Sequence, residues 1–479
     1  MKIPKPAQTS ELQLALGAQH TEVLRSFVRE VALADGIPAS SAGLLATDCA
    51  VTWEALCTIE EVKERVHVSL RVLHDAVRAR LLLRGHKRFA QAINSLEGRL
   101  PRGAGVSCHE SGIDSWEILL HRSLIAPRDM LPPDPAPAIG TSPVAAGIGN
   151  IAIDLADKAD ALGIARCFLA VYGHHYVHSE VFSPRHYWAR VEAGELIPVV
   201  ARSPDGEVIG HVALERLTGA LVAERGEAVV LPAFRGYHLL ERMTDRLSEE
   251  APKHGLQGVY AEPLTIHTFS QRNDVHAGMP VCAVLLGANP ENFRPKDIAC
   301  PTAGQRQSYL RTFRFVQAAP PRSLQDTGPY ADLLSQIYAS LGVKVAAPEQ
   351  SMPAPVQSKT RIGVNDRGYG VIRFDAIGNN CAVELAQALA DVRSLGARSV
   401  QLSCRIGSSG LSSFINSARA LGFFFCGLGP SFAEGEDLLL LQLLTEPLDT
   451  SKLQLFTDEA KALVAFIESD RNAVSARTG

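Results

Sequence analysis

Between Glu227 and Met243 the chain passes from an apolar, strand-like run through Pro232 and an Arg235-Gly236 turn into a run carrying Leu239, Leu240 and Met243 at near-helical spacing. A strand that turns straight into a helix leaves the first helical N–H groups unpaired, with the positive end of the helix dipole behind them. Arg235 adds a guanidinium suited to charge-assisted bonds, so the turn is a candidate phosphate site. A second concentration of chemistry runs from Tyr172 through His174, His175, Tyr176 and His178 to Glu180, continuing to His186 and Tyr187. His174 and His178 lie four apart, as a metal pair on one helical face would, but no third ligand follows at motif spacing and no metal is expected.

The elements that must position these residues belong to a long chain. Its 479 residues suggest about three domains. Lysine plus arginine (47) nearly balances aspartate plus glutamate (51), which gives no reason to expect nucleic acid or an acidic membrane surface as partner. No apolar run approaches a membrane span, and the start, Met1 to Pro6, lacks a signal-peptide core. The expectation is a soluble, cytoplasmic protein, bacterial in character. Nine scattered cysteines, an odd number without a Cys-x-x-Cys pair, read as buried reduced thiols.

In residues 1–125 the pattern predicts a strand over Glu11 to Leu16, a helix from Thr21 to about Gly36, a second helix from about Ser41 to Cys57, and strands around Val66 to Leu73, Arg80 to Leu83 and Trp116 to Leu120. This order resembles the anti-sigma-factor kinases of the GHKL ATPase superfamily. That resemblance implies an α/β sandwich that holds ATP and magnesium with a Glu and an Asn on the second helix. Cys49 and Trp53 stand there instead, and Arg84-Gly85-His86 replaces the adenine-contacting Asp-x-Gly. A thiol and an indole are not the hard oxygen ligands magnesium needs, so the expectation is a degenerate fold kept as a module for binding a protein partner or for dimerisation.

Residues 126–148 are proline-rich and read as a semi-rigid linker. From 149 to 344 the predicted order is a strand at Ile151 to Leu155, a helix at Ala159 to Tyr172, a hairpin of Val199 to Arg202 and Val208 to Leu214, a strand at Glu227 to Leu231, a helix to Glu250, a strand at Gly258 to Ala261, and a helix at His267 to His276. Together with Val229-x-x-Pro232-x-Phe234-Arg235-Gly236-Tyr237-His238-Leu239-Leu240, this order resembles the GNAT superfamily of N-acetyltransferases. Their phosphate loop reads Arg/Gln-x-x-Gly-x-Gly/Ala; Arg235 fits, whereas His238 and Leu240 replace the glycines. Residues 345–360 read as a second linker, and 361–479 as a partial repeat of the same pattern ending in a charged helix; in it Gly422-Phe423 parallels Gly278-Met279. The fold class expected overall is α/β (α+β) and multi-domain, with a central mixed sheet flanked by helices.

The GNAT resemblance implies acetyl-CoA or another acyl-CoA as co-substrate, with Val229, Val230 and Leu231 beside the thioester and Arg235, Gly236, Tyr237, His238 and Leu239 at the pyrophosphate. It makes Glu227 and Glu215 the candidate bases. Asp274 stands where many relatives carry an acidic Tyr, which leaves His276 or His267 to protonate the thiolate. Tyr172, His175, Tyr176, His178 and His267 would line the pocket for an amine on a small molecule or a protein. Two functional readings follow: an acyl-CoA-dependent N-acyltransferase, or a non-catalytic scaffold built from worn ATPase and acetyltransferase folds.

Overall fold

The computed structural model describes residues 10–15, 17–34, 39–57, 65–72, 76–84, 104–112, 115–123, 151–172, 176, 179–216, 220–291, 301–346, 353–364, 368–394 and 396–478. Contacts divide the chain into two compact units, Met1–Pro135 with Tyr176–Tyr187, and Ala136–His175 with Trp188–Gly479.

The first unit holds an antiparallel five-stranded sheet of order β1-β2-β3-β5-β4, with β1 at Ser10–Ala15, β2 at Arg65–Val72, β3 at Ala76–Arg84, β4 at Ala104–Gly112 and β5 at Ser115–Ser123. Helices α1 (Thr21–Ala34) and α2 (Ala39–Cys57) pack on each other and on the sheet. On α1, Leu24, Val28 and Ala32 repeat at helical spacing and are buried. Strand β4 has no counterpart in the sequence reading, where Gly103, Gly105 and Gly112 masked its alternation. Cys49 and Trp53 are fully buried, and the indole Nε1 donates to Gly17 O at 2.9 Å. These two side chains are therefore core, and Gly85 and His86 lie outside the described residues.

The second unit is built on one twelve-stranded mixed sheet. Its first half contains β6 (Ala152–Leu155), β7 (Leu196–Arg202), β8 (Val208–Glu215), β9 (Val222–Val230), β10 (Gly258–Ala261), β11 (Val281–Asn289) and β12 (Gln307–Phe315). A short pair, β13 (Arg322–Ser323) and β14 (Val345–Ala346), stands apart. The second half contains β15 (Lys359–Val364), β16 (Tyr369–Ala376), β17 (Ser399–Arg405), β18 (Phe424–Ala433) and β19 (Glu436–Leu444). The helices are α3 (Asp160–Tyr172), α4 (Pro184–Glu192), α5 (Leu239–Glu250), α6 (Phe269–His276), α7 (Ala331–Ser340), α8 (Cys381–Ser394), α9 (Leu411–Ala420) and α10 (Asp458–Thr478).

The strand order is β6-β7-β8-β9-β10-β12-β11 followed by β18-β19-β17-β16-β15, so the five strands from β8 to β11 and the five from β18 to β15 mirror each other across the centre. Each half has one parallel pair, β9 with β10 and β16 with β17, and a helix follows each of these strands. Strand β15 begins at Lys359, inside the stretch read from sequence as a linker.

The halves meet where Ala283 on β11 pairs with Gly427 on β18. A Cβ at Gly427 would fall 2.2 Å from Ala283 Cβ, so only glycine permits this approach. Because the strands share so little ladder, buried Gln442 supplies the missing bonds: its Oε1 accepts from Leu286 N at 3.0 Å, its Nε2 donates to Leu286 O, and Nε2 also donates to Ser399 Oγ at 2.8 Å. The apolar core is continuous through the junction, joining Leu286 and Leu310 to Leu402 and Leu441.

The halves differ at their parallel pairs. β16 and β17 stay in register from Tyr369–Ser399 through Phe374–Cys404. β9 and β10 pair only from Val222–Gly258 to Glu224–Tyr260, although β9 runs on to Val230. Beyond Ala261 the chain leaves β9 and follows β12, bridging Leu264 to Tyr309 and donating from Thr265 N to Ser308 O at 3.0 Å. A cleft therefore opens beside Arg225–Val230 in the first half, and among the described residues the zipped second half has no equivalent.

Candidate functional site at the β9–β10 cleft

The sequence around the cleft dictates an irregular strand. His211 pairs with Val229 and Ala213 with Gly226, so Glu227 and Ala228 together face Val212 in a β-bulge, and Glu227 takes φ 50°. From the C-terminal end of α3, the Tyr172 hydroxyl donates to Ala228 O at 3.3 Å. Burial raises the Tyr172 phenol pKa, and the Arg235 charge opposes that rise, so the phenol and the turn share one electrostatic environment.

After β9, a 3-10 turn at Pro232–Phe234 leads to exposed Arg235 and to Gly236 at φ 83°, where a Cβ would meet open space. His238 caps α5 in the left-handed conformation, φ 56°, with no side-chain capping bond. It thereby adopts the backbone conformation that a glycine supplies without strain. Its ring is 73% exposed and its Nδ1 lies 2.5 Å from Glu241 Oε2, turned along the helix. Leu240 is partly buried. The Leu231 N–H donates to Ile209 O at 3.0 Å. Val229 is buried and Val230 half-buried along the strand, Tyr237 is half-buried, and Leu239 is buried beneath α5.

Strand alternation sends Leu214, Arg225 and Val259 towards α5 and α6, and Glu215, Glu224 and Tyr260 to the opposite face. On that opposite face a row of polar side chains crosses four strands. Arg190 of α4 donates Nη2 to Glu215 Oε1 at 2.8 Å and Nη1 to buried Glu227 Oε1 at 3.2 Å. His211, wholly buried, places Nδ1 3.1 Å from Val199 O, which assigns the proton to Nδ1 and leaves Nε2 3.9 Å from Glu227 Oε2. The structure thus brings Glu227 and Glu215 together, but on one shared guanidinium.

Next in the row stands Glu224, opposite Glu215 in register and beside Tyr260, whose hydroxyl donates to Glu224 Oε2 at 3.4 Å. Burial pushes the Glu224 carboxyl up to about 8, with the neighbouring Glu262 and Glu215 carboxylates adding to the shift. Arg311 offsets this only in part, because its Nε donates to Glu262 Oε1 at 2.8 Å. The Arg311 guanidinium also lies over the Phe432 ring, 4.8 Å from its centroid, so the second half of the sheet supplies one wall of this end. Glu224 was missed in the sequence reading, which began the strand at Glu227. Adjacent charges at Glu224 and Arg225 inside a strand were the available signal that both sheet faces meet polar partners there.

His276 is exposed at the end of α6, its Nε2 3.4 Å from an Asp245 carboxylate oxygen of α5. Asp274 is structural, accepting from Arg225 and, at 2.9 Å, from Thr312 Oγ1. His267 is half-buried between β10 and α6 with its ring 5.2 Å from Phe269, and burial lowers its pKa. His175 and His178 lie outside the described residues, as does His174, and Tyr176 is described only as an isolated position.

The chain is similar in part to solved acetyltransferase structures. It matches the Salmonella typhimurium yncA structure, solved with its cofactor acetyl-CoA, at 23% identity over 36% of this chain and 98% of that one, TM-score 0.29. It matches ribosomal-protein-S5-alanine acetyltransferase from Vibrio fischeri at 13% identity over 35% and 94%, TM-score 0.28. It also matches an N-acetyltransferase from Staphylococcus aureus at 14% identity over 35% and 99%, TM-score 0.29. No family profile and no curated protein matches the chain. Among the described residues, no helix is long and apolar enough to cross a membrane, and no group of three or more His, Cys, Asp or Glu residues is placed to hold a metal ion.

Proposed function

We propose that this protein is an acyl-CoA-dependent N-acyltransferase whose reaction takes place in the β9–β10 cleft. The observation that carries the reading is the parting of β9 and β10 after Glu224–Tyr260, followed directly by the Arg235 turn and the N-terminus of α5. An open strand edge ending at a helix N-terminus fits a ligand with an amide-bearing arm and a phosphorylated end. The residues present fit acyl-CoA: Arg235 and the unpaired N–H groups at the start of α5 would hold its phosphates, Gly236 leaves the approach clear, and Tyr172 borders the strand. When bound, acyl-CoA supplies an activated thioester carbonyl.

Glu224 is the base in this reading. An amine must lose a proton to become a nucleophile or as it attacks, and a carboxyl poised near neutrality takes that proton more efficiently than one of ordinary acidity. Glu227 and Glu215, joined by Arg190, brace the bulge in this reading. Release of free thiol from acetyl-CoA in the presence of simple amines tests the reading; absence of transfer with acetyl-CoA and longer acyl-CoAs would sink it.

The non-catalytic alternative is favoured by one observation, that both bases expected from sequence are tied to Arg190. It forecasts a protein partner and no turnover.

A further inference from the structure

On the sheet face that carries α5 and α6, three helices enclose a cavity of about 660 Å³ that the transfer site does not use. Helix α6 turns Gln271, Asp274 and Val275 towards it, at the i, i+3, i+4 spacing of one helical face, and Gly278 follows just past the helix end. Its interior is apolar, with Leu310 of β12, Ile337 of α7, and Leu463 and Phe466 of α10. The polar atoms at its base are satisfied internally, since Asp274 accepts from Thr312 and Arg225, and Gln271 Nε2 donates to Gln454 O at 2.7 Å. A volume of this size, with an apolar interior, belongs to the class of small-molecule sites.

The lining carries three carboxylates, Asp274, Asp332 and Glu459, and no basic side chain. Asp274 is matched by Arg225, which leaves at the mouth two exposed carboxylates, Asp332 in the first turn of α7 and Glu459 in the first turn of α10, that face no basic side chain of the lining. Apolar surface continues at the rim, where Val275 is 48% exposed and Phe269, on the same helix, is 67% exposed. A ligand complementary to this surface has an apolar body and a positive head, and an anion is disfavoured.

We propose that this cavity binds a small amphipathic amine, its hydrocarbon body on Leu310, Ile337, Leu463 and Phe466 and its ammonium between Asp332 and Glu459. This does not rest on the acyltransferase reading. The test is calorimetric titration of the full chain with octylamine, with octanol and octanoate as charge controls. The expected result is saturable octylamine binding, at least about tenfold weaker octanol binding, as loss of a charge-assisted contact gives, and no octanoate binding. Ala462→Phe, at an exposed lining position on α10, should abolish octylamine binding. The double variant Asp332→Asn/Glu459→Gln, at exposed sites that leave the fold intact, should weaken octylamine to the level of octanol. Glu224→Gln should leave binding unchanged, which separates this cavity from the transfer cleft. Failure of octylamine to bind, equal binding of octanoate, or binding undiminished by the double charge variant would overturn the proposal, whether the vacant volume holds another ligand or a segment of the chain itself.

Discussion

Tyr260 donates its hydroxyl to Glu224 at 3.4 Å across the last register pair before β9 and β10 part. The pair fixes a carboxyl of raised pKa at the point where the cleft begins. If Glu224 takes the amine proton, it must be ionised to act, so kcat/KM should rise as pH passes upward through about 8. The acceptor amine adds its own ionisation to that profile. The part belonging to Glu224 is what disappears in Glu224→Gln, together with about 10²- to 10⁴-fold of the rate.

The same carboxyl links pH to stability. Its folded pKa is raised from 4.5 to about 8, so between those values the folded protein holds a proton that the unfolded chain has released. Its contribution to stability is present below about 4.5 and is lost as pH rises towards 8. Urea unfolding should therefore find Glu224→Gln gaining on the wild type between pH 5 and pH 9, and a constant difference across that range would contradict the assignment.

Arg190 holds two carboxylates, one of them buried at the bulge. Arg190→Met removes the shared cation while Glu227 stays buried, and should cost about 3–5 kcal/mol of unfolding free energy, the range seen when one partner of a buried pair is removed. Glu215→Gln, at the more exposed end, should cost clearly less in the same urea measurement.

The junction of the two half-sheets depends on one amide. Gln442→Leu leaves the N–H of buried Leu286 without its side-chain partner, while the C=O keeps the Ser399 hydroxyl at 3.0 Å. One orphaned group costs about 1–3 kcal/mol, and a loss in that range is expected by chemical denaturation. Gln442→Glu should recover only the acceptor half.

His238 occupies a left-handed conformation with its ring turned to Glu241. His238→Gly should relieve the backbone strain at the loss of one exposed contact, leaving stability within about 1 kcal/mol and acyl-CoA affinity undiminished. His238→Val, branched at Cβ, should be destabilising in thermal melts.

Much of this architecture was legible in the chain. The strand, Pro232 stop, Arg235-Gly236 turn and helix were legible because each step is a local signal. The second half announced itself by recurrence, Gly422-Phe423 echoing Gly278-Met279 after a strand and a helix. What stayed hidden depends on non-local pairing. The raised pKa of Glu224 arises first from burial and then from Glu262 and Glu215, which come from the segment after β10 and from β8, while the Tyr260 hydroxyl opposes the rise. The functional difference between β9–β10 and β16–β17 is where hydrogen bonding stops, which no residue type announces.

The central claim is that the cleft beside Arg225–Val230, ending at Arg235, receives acyl-CoA. Calorimetric titration of acetyl-CoA into the wild type and into Arg235→Ala, an exposed substitution, tests it most directly. The account predicts saturable one-to-one binding to the wild type and at least about tenfold weaker binding to the variant, the loss expected of one charge-assisted phosphate contact. No binding of acetyl-CoA or longer acyl-CoAs to the wild type, or equal binding to both proteins, would contradict it.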